Sequence, residues 1–230
     1  MAGMSPAFSA TRAVVFDAYG TLFDVASAAE RAGDALGDRW RALSETWRAK
    51  QLQYTWLRSL MGRHADFRQV TADGLDFALA SLGIDDPPLR RRLLDLYERL
   101  DAYPEARETL ARLRAGGRKL AILSNGSPPM LEAAVRSAGL ADLLDAVLSV
   151  ESVGIYKPAP VVYELAPRRL GVAPAEIAFV SSNGWDVHGA SAFGFRVAWC
   201  NRSGQPAERL PGRPDAEIRS LAELPALLGA

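Results

Sequence analysis

The sequence predicts an α/β fold: a parallel sheet flanked by helices, with a helical insert. Three observations carry this prediction. Five short apolar runs with β-branched members end at polar turns; helical stretches alternate with those runs; one long block of helical periodicity interrupts the alternation. Such runs read as strands buried on both faces, and their alternation with helices places helices on both sides of the sheet. At 230 residues the chain can hold one core and a smaller insert.

The first strand is Ala13-Val14-Val15-Phe16, stopped by Asp17 and Gly20. The alternation then breaks. Trp40, Leu43, Trp47, Tyr54, Leu57 and Met61 recur at spacings of three, four or seven, as on one face of a long helix. Leu75, Leu79 and Leu82 mark a second helix, and Leu89, Leu93, Leu96, Tyr97 and Leu100 a third, the two separated by Asp85-Asp86-Pro87-Pro88. The core resumes with a helix from near Pro104 that carries Ala106, Leu110 and Leu113 and ends at Gly116-Gly117. A strand at Lys119–Leu123 runs into Ser124-Asn125-Gly126, and the next helix starts with Ser127 as N-cap and Pro128 at its first position. There follow a strand at Ala146–Val150, one helix from about Pro160 to Leu170 stopped by Gly171, a strand at Ile177–Val180 before Ser181-Ser182-Asn183-Gly184, and a strand at Phe195–Trp199. The boundaries expected are 11–24 with 101–227 for a discontinuous core, and 25–100 for the insert.

Charge and composition exclude several function classes. The 27 cationic residues cancel the 27 acidic ones, which argues against nucleic acid as a partner, since phosphate-binding surfaces show a basic excess. A small anion needs only one or two local cations. Three of the cations are lysines, Lys50, Lys119 and Lys157. The single cysteine, Cys200, excludes an intrachain disulfide or a CxxC site, and His64 and His188 form no HExxH pattern, so no metal and no cofactor are expected. No apolar run approaches the ~18 residues of a membrane span, and the first residues lack the features of a signal peptide. The expectation is a soluble cytoplasmic protein without a membrane partner.

In open α/β sheets ligands bind beyond the carboxyl ends of the strands. That rule selects Asp17, Thr21, Ser124, Asn125, Lys157, Ser181, Asn183 and Asp186, which four loops could bring together. Asp17 stands out, because a carboxylate at the end of an apolar strand is costly unless it is hydrogen-bonded or paired. Thr21, four residues on, could supply a hydroxyl. An Asp that caps its own turn is the competing reading of the same position.

Four motifs now coincide. Phe16-Asp17-Ala18-Tyr19-Gly20-Thr21-Leu22-Phe23-Asp24 resembles the first motif of the haloacid dehalogenase superfamily, whose nucleophile is this strand-end Asp. Ser124-Asn125-Gly126 resembles its second motif, Lys157-Pro158 its third and Ser181-Ser182-Asn183-Gly184-Trp185-Asp186 its fourth. The resemblance implies a Rossmann-like core, with the helical insert as a cap subdomain. Tyr19 stands where the superfamily's phosphatases carry a second Asp, and Ser182 leaves the fourth motif with one acid, Asp186. These departures, with Trp47-Arg48 to Met61, resemble the type II L-2-haloacid dehalogenases.

What the resemblance implies is hydrolysis of short L-2-haloalkanoic acids to D-2-hydroxy acids and halide, through an aspartyl ester formed with inversion. Asp17 would be the nucleophile, with Lys157 favouring its charged form. Asp186 would activate water, and Asn183, Thr21 and Ser181 would hold the geometry. Arg48 and Asn125 would take the halide; Leu52, Phe67 and Trp185 would wall the pocket, joined by Tyr19; Ser124, Thr21 and N–H groups near Ser127 would hold the substrate carboxylate; and Tyr163 is either a site hydrogen-bonder or a core tyrosine. Neither His188 nor Cys200 matches a catalytic position. The family's habit implies a homodimer. Two rival readings stay open at this point: a Mg2+-dependent phosphatase or phosphonate hydrolase of the same superfamily, and a non-catalytic small-molecule binding protein on the same fold.

Overall fold

The computed structural model describes residues 5–230. Six parallel strands form one sheet: β1 (Ala13–Phe16), β2 (Lys119–Ser124), β3 (Ala146–Ser149), β4 (Ile177–Ser181), β5 (Arg196–Cys200) and β6 (Ala216–Ile218), in the order β3-β2-β1-β4-β5-β6. Every residue of β1 and β4 is buried, which is why these central strands read as unbroken apolar runs. The chain builds outward from β1 in one direction and then in the other, so the strand order switches between β1 and β4. Phe16 is in register with Val180, which sets Asp17 beside Ser181 at the end where open sheets bind ligands.

Between β1 and the point where the core resumes lie five helices: α1 (Ser27–Glu30), α2 (Gly33–Leu36), α3 (Trp40–Leu60), α4 (Phe67–Ser81) and α5 (Pro87–Tyr97). Asp66 caps α4 by accepting from the Gln69 N–H at 2.8 Å, and Asp86 caps α5 by accepting from the Leu89 N–H at 2.9 Å. The chain enters and leaves this layer side by side, as the Asp24 N–H donates to Asp101 O at 2.8 Å and the Tyr103 N–H to Leu22 O at 2.9 Å. The core helices are α6 (Ala106–Ala115), α7 (Pro128–Ser137), α8 (Pro160–Tyr163), α9 (Leu165–Leu170), α10 (Gly184–Phe193) and α11 (Leu224–Leu228).

Four expectations need correction. The helix from Pro160 to Leu170 is two short pieces, because Pro167 has no N–H to donate to the Tyr163 carbonyl. The buried stripe of α3 is Leu43, Trp47, Gln51 and Thr55, while Leu57 and Met61 are exposed. Ser127 occupies the cap position of α7, but its side chain makes no cap bond. Finally, β6 escapes a search for apolar runs, since its three residues include Glu217 at a sheet edge.

Candidate active site

Asp17 follows the last residue of β1, and its N–H extends the ladder by donating to Val180 O at 2.9 Å. Gly20 then takes φ +88°, a left-handed turn that side chains disfavour, and folds Thr21 back over the carboxylate. Thr21 Oγ1 accepts from the Ser182 N–H at 2.9 Å, so its hydroxyl proton is free to donate to Asp17 Oδ2 at 3.1 Å. Asn183 Nδ2 donates to the same oxygen at 2.7 Å, and Ser181 Oγ lies 3.4 Å from it. Oδ1 is engaged differently: its one side-chain partner is Lys157 Nζ at 3.1 Å.

Lys157 is buried, and its ammonium also donates to Asp186 Oδ2 at 2.8 Å. Burial opposes the charge on Lys157, but Asp17 and Asp186 overcome that and hold its pKa above the usual lysine range. Burial raises the Asp186 carboxyl to about 6, with Lys157 pulling the other way. The other Asp186 oxygen accepts from Tyr163 OH at 2.8 Å. Burial first, then the Asp186 charge, pushes the Tyr163 phenol well above its ordinary value and keeps it a donor. Its ring packs among Phe179, Phe193 and Phe195, so Tyr163 is a core tyrosine whose hydroxyl reaches Asp186.

Arg48 reaches the core from α3. Its Nη2 donates to Tyr19 O at 3.3 Å and to Asn183 Oδ1 at 3.2 Å, and its Nη1 to Gln51 Oε1 at 2.8 Å. Asn125 Oδ1 accepts from the Lys157 N–H at 3.1 Å, which turns the Asn125 amide hydrogens the other way. The Tyr19 ring stacks on Tyr97 at 5.7 Å and packs against Phe67 at 5.4 Å, forming an aromatic wall. Gly126 lets that wall close: a Cβ there would lie 2.7 Å from Tyr19 Cε2. Leu52 and Trp185 are half-buried, Trp185 against Trp56.

The structure thus gathers Asp17, Thr21, Lys157, Ser181, Asn183 and Asp186 into one hydrogen-bonded cluster, with Arg48 reaching it from α3. Two expected donors to a carboxylate are already committed or missing. Thr21 spends its hydroxyl on Asp17, and the start of α7 carries Pro128 and Pro129, which have no N–H, so only Ser127 and Met130 offer backbone donors there. Ser124 Oγ accepts from the Gly126 N–H at 3.0 Å and keeps its own proton to give. Sequence reasoning missed Gln51 and Tyr97. Gln51 Nε2 donates to Thr71 Oγ1 at 2.7 Å and to Tyr97 OH at 3.0 Å while its Oε1 holds Arg48. A glutamine on the buried stripe three residues after an arginine was the available signal.

Among the described residues no group of three or more His, Cys, Asp or Glu side chains is placed to hold a metal ion, and no helix is long and apolar enough to cross a membrane. His188 Nδ1 lies 3.0 Å from Leu210 O, and Cys200 is buried in β5.

The profile of the haloacid dehalogenase-like hydrolases matches residues 11–194. The chain is 49% identical over 218 residues to (S)-2-haloacid dehalogenase 1 of Pseudomonas sp. (strain CBS-3), covering 94% of this chain and 96% of that one. It is 50% identical over 197 residues to the (S)-2-haloacid dehalogenase of Xanthobacter autotrophicus, covering 85% and 77%. Among solved structures, the L-2-haloacid dehalogenase of Xanthobacter autotrophicus with chloropropionic acid covalently bound superposes with a TM-score of 0.89 at 43% identity, covering 96% of this chain and 99% of that one.

Proposed function

The chain belongs to the haloacid dehalogenase-like hydrolases and, within them, to the (S)-2-haloacid dehalogenases, and from that premise we propose that it hydrolyses short L-2-haloalkanoic acids to D-2-hydroxy acids and halide. The observation that carries the reading is the unequal treatment of the two Asp17 oxygens. Oδ2 faces Thr21, Asn183 and Ser181, whereas Oδ1 has Lys157 alone and a lone pair to spare.

Oδ1 is therefore the attacking atom. It forms a bond to C2 of the substrate as the carbon–halogen bond breaks from the opposite side, the halide leaving with the electron pair and the centre inverting. Arg48 and the Asn125 amide supply donors for the developing halide. In the ester, Oδ2 becomes the carbonyl oxygen. Its three donors then stabilise the negative charge that builds on it when water adds to the Asp17 carbonyl carbon. Asp186 accepts the water proton. The Asp17 carbonyl-carbon to Oδ1 bond breaks, the proton returns to the departing oxygen beside Lys157, and the hydroxy acid leaves. Ser124 and the Ser127 N–H hold the substrate carboxylate, and Leu52, Phe67, Tyr19 and Trp185 exclude bulk water. No step needs a proton for the leaving group, since halide departs unprotonated; this suits a site with Tyr19 in place of a second acid.

The helical layer 25–100 acts as the cap of the 11–24 and 101–227 core, carrying Arg48, Leu52 and Phe67 onto the nucleophile. The same reading makes the protein a cytoplasmic homodimer, which light scattering after size exclusion would test. Halide release from L- and D-2-chloropropionate, with EDTA present, tests the reaction. The expected result is release from the L acid only, and none by Asp17→Asn; equal activity of the two proteins would refute the nucleophile assignment.

A further inference from the structure

Arg202 lies two residues beyond the end of β5 and belongs to none of the four motifs. Its side chain is mostly buried, and its guanidinium makes three contacts far from its own loop. Nη1 donates to Glu105 Oε1 at 2.6 Å, Nη2 donates to Thr21 O at 3.1 Å, and Cζ sits 3.6 Å from the centre of the Tyr103 ring. The three partners lie on the two stretches through which the chain leaves the core and re-enters it. Those stretches are themselves paired, by the Tyr103 N–H donating to Leu22 O and by a bridge between Phe23 and Ala102. Arg202 therefore ties both crossings to the end of β5. Its own backbone is anchored there, since Arg219 Nη1 donates to Asn201 O at 3.0 Å and Asn201 Nδ2 to Glu217 Oε1 at 2.8 Å.

A cation of any shape would pair with Glu105. Reaching a carboxylate, a carbonyl and an aromatic face together takes the planar fork of an arginine. The carbonyl matters most. Thr21 is fully buried, and among the described residues Arg202 Nη2 is the one donor to its backbone oxygen. A buried carbonyl stripped of its donor is costly, and the peptide relieves that cost by turning. Turning it moves the Thr21 hydroxyl, which donates to Asp17 Oδ2.

The two steps of the reaction use Oδ2 in opposite senses. In ester formation Oδ1 bonds to C2, the halide leaves with the electron pair, and negative charge drains from the Asp17 carboxylate. In ester hydrolysis water adds to the Asp17 carbonyl carbon, its proton passes to Asp186, and negative charge builds on Oδ2 before the bond to Oδ1 breaks. A displaced donor to Oδ2 thus slows the second step and spares the first.

Building on the dehalogenase reading, we propose that Arg202 is a positioning residue for ester hydrolysis. Through the Thr21 carbonyl it fixes the hydroxyl that supports charge on Asp17 Oδ2, and through Tyr103 and Glu105 it holds that loop where the helical layer joins the core.

The test times the two steps separately in the full-length protein. Wild type, Arg202→Lys, Arg202→Gln, Thr21→Ala and the double variant Thr21→Ala with Arg202→Lys are mixed with L-2-chloropropionate and quenched rapidly. Halide from the first turnover reports ester formation, and the mass of the peptide that carries Asp17 reports the ester. Arg202→Lys, which keeps a cation for Glu105, is expected to release its first halide within about threefold of the wild-type rate and to hydrolyse the ester about tenfold more slowly. The ester then accumulates. Arg202→Gln is expected to show the same split, and the first halide certifies an assembled site in each variant. In the Thr21→Ala background, Arg202→Lys is expected to change ester hydrolysis by less than about twofold, because the hydroxyl it positions is gone. Equal slowing of both steps by the Arg202 variants would overturn the proposal and mark a general loosening. So would an unchanged rate of ester hydrolysis, or losses that multiply in the double variant. Absence of halide from the wild type would remove the dehalogenase reading underneath, a failure told apart because that protein carries no change at Arg202.

Discussion

Lys157 Nζ bridges two buried carboxylates, 3.1 Å from Asp17 Oδ1 and 2.8 Å from Asp186 Oδ2. The bridge joins the proposed nucleophile to the proposed water-activating group through one ammonium. Removing that ammonium leaves like charges facing each other out of water. Lys157→Met is expected to lower kcat by at least about a hundredfold and to cost about 3–5 kcal/mol of stability, the range for breaking a buried ion pair. Halide release and urea unfolding measure the two effects.

The raised carboxyl of Asp186 is expected to set the acid limb of the proposed reaction. Burial favours its neutral form up to about 6, and only the carboxylate accepts a proton from water. In the ester Asp17 carries no charge, which removes one cause of the raise, so the rate of ester hydrolysis is expected to fall as pH drops below about 6. Lys157, held above its usual range by Asp17 and Asp186, is expected to stay charged and to add no alkaline limb within the ordinary lysine range. The stability sign runs opposite to the activity. Asp186 binds its proton more tightly in the folded state, so its contribution to stability is full below the ordinary carboxylate range and is lost as pH rises through about 6. Rate and urea midpoint, each followed from pH 4 to 10, check both directions.

Gln51 is buried inside α3 and touches no substrate position in the proposed mechanism, yet it fixes Arg48 at 2.8 Å. Gln51→Leu is expected to lower kcat about tenfold, by freeing the guanidinium from its orientation at the halide position. Gln51→Glu, which keeps an acceptor for Arg48, is expected to lose less. Steady-state kinetics of the pair separates orientation from a general loss of packing.

Glu151 fastens the helical layer to the core. Its Oε1 accepts from the Phe67 N–H at 3.2 Å and its Oε2 lies 2.9 Å from His64 Nε2, while Tyr156 OH donates to Ala65 O at 2.6 Å. Phe67 is a proposed pocket wall, and Tyr156 adjoins Lys157. Glu151→Ala is expected to raise KM for L-2-chloropropionate about tenfold with a smaller change in kcat, because the wall loosens while the Asp17 cluster stays assembled. Steady-state kinetics with L-2-chloropropionate checks the split.

The sequence made the sheet legible where strands are buried on both faces, as at Val14-Val15-Phe16 and Ile177–Val180. The site was legible where loops follow those strands, so Asp17, Ser181 and Asn183 could be picked out before any coordinates. Less was readable where polarity and burial disagree. Leu43 and Trp47 are buried as periodicity predicts, but Gln51 and Thr55 continue the buried face of α3 while Leu57 and Met61 lie in water, so periodicity alone lost the stripe in the second half of the helix. Likewise, Glu151 and His64 are 87 residues apart, and their pairing depends on how α4 sits against the core, which spacing does not encode.

The central claim is the covalent ester on Asp17, and a single turnover in oxygen-18 water tests it most directly. With enzyme in excess over L-2-chloropropionate, water adds to the Asp17 carbonyl carbon. The label is then expected in the peptide that carries Asp17, and the hydroxyl of the product should be unlabelled. Label in the product hydroxyl, with none in that peptide, would mean that water attacks the substrate directly and would contradict the account.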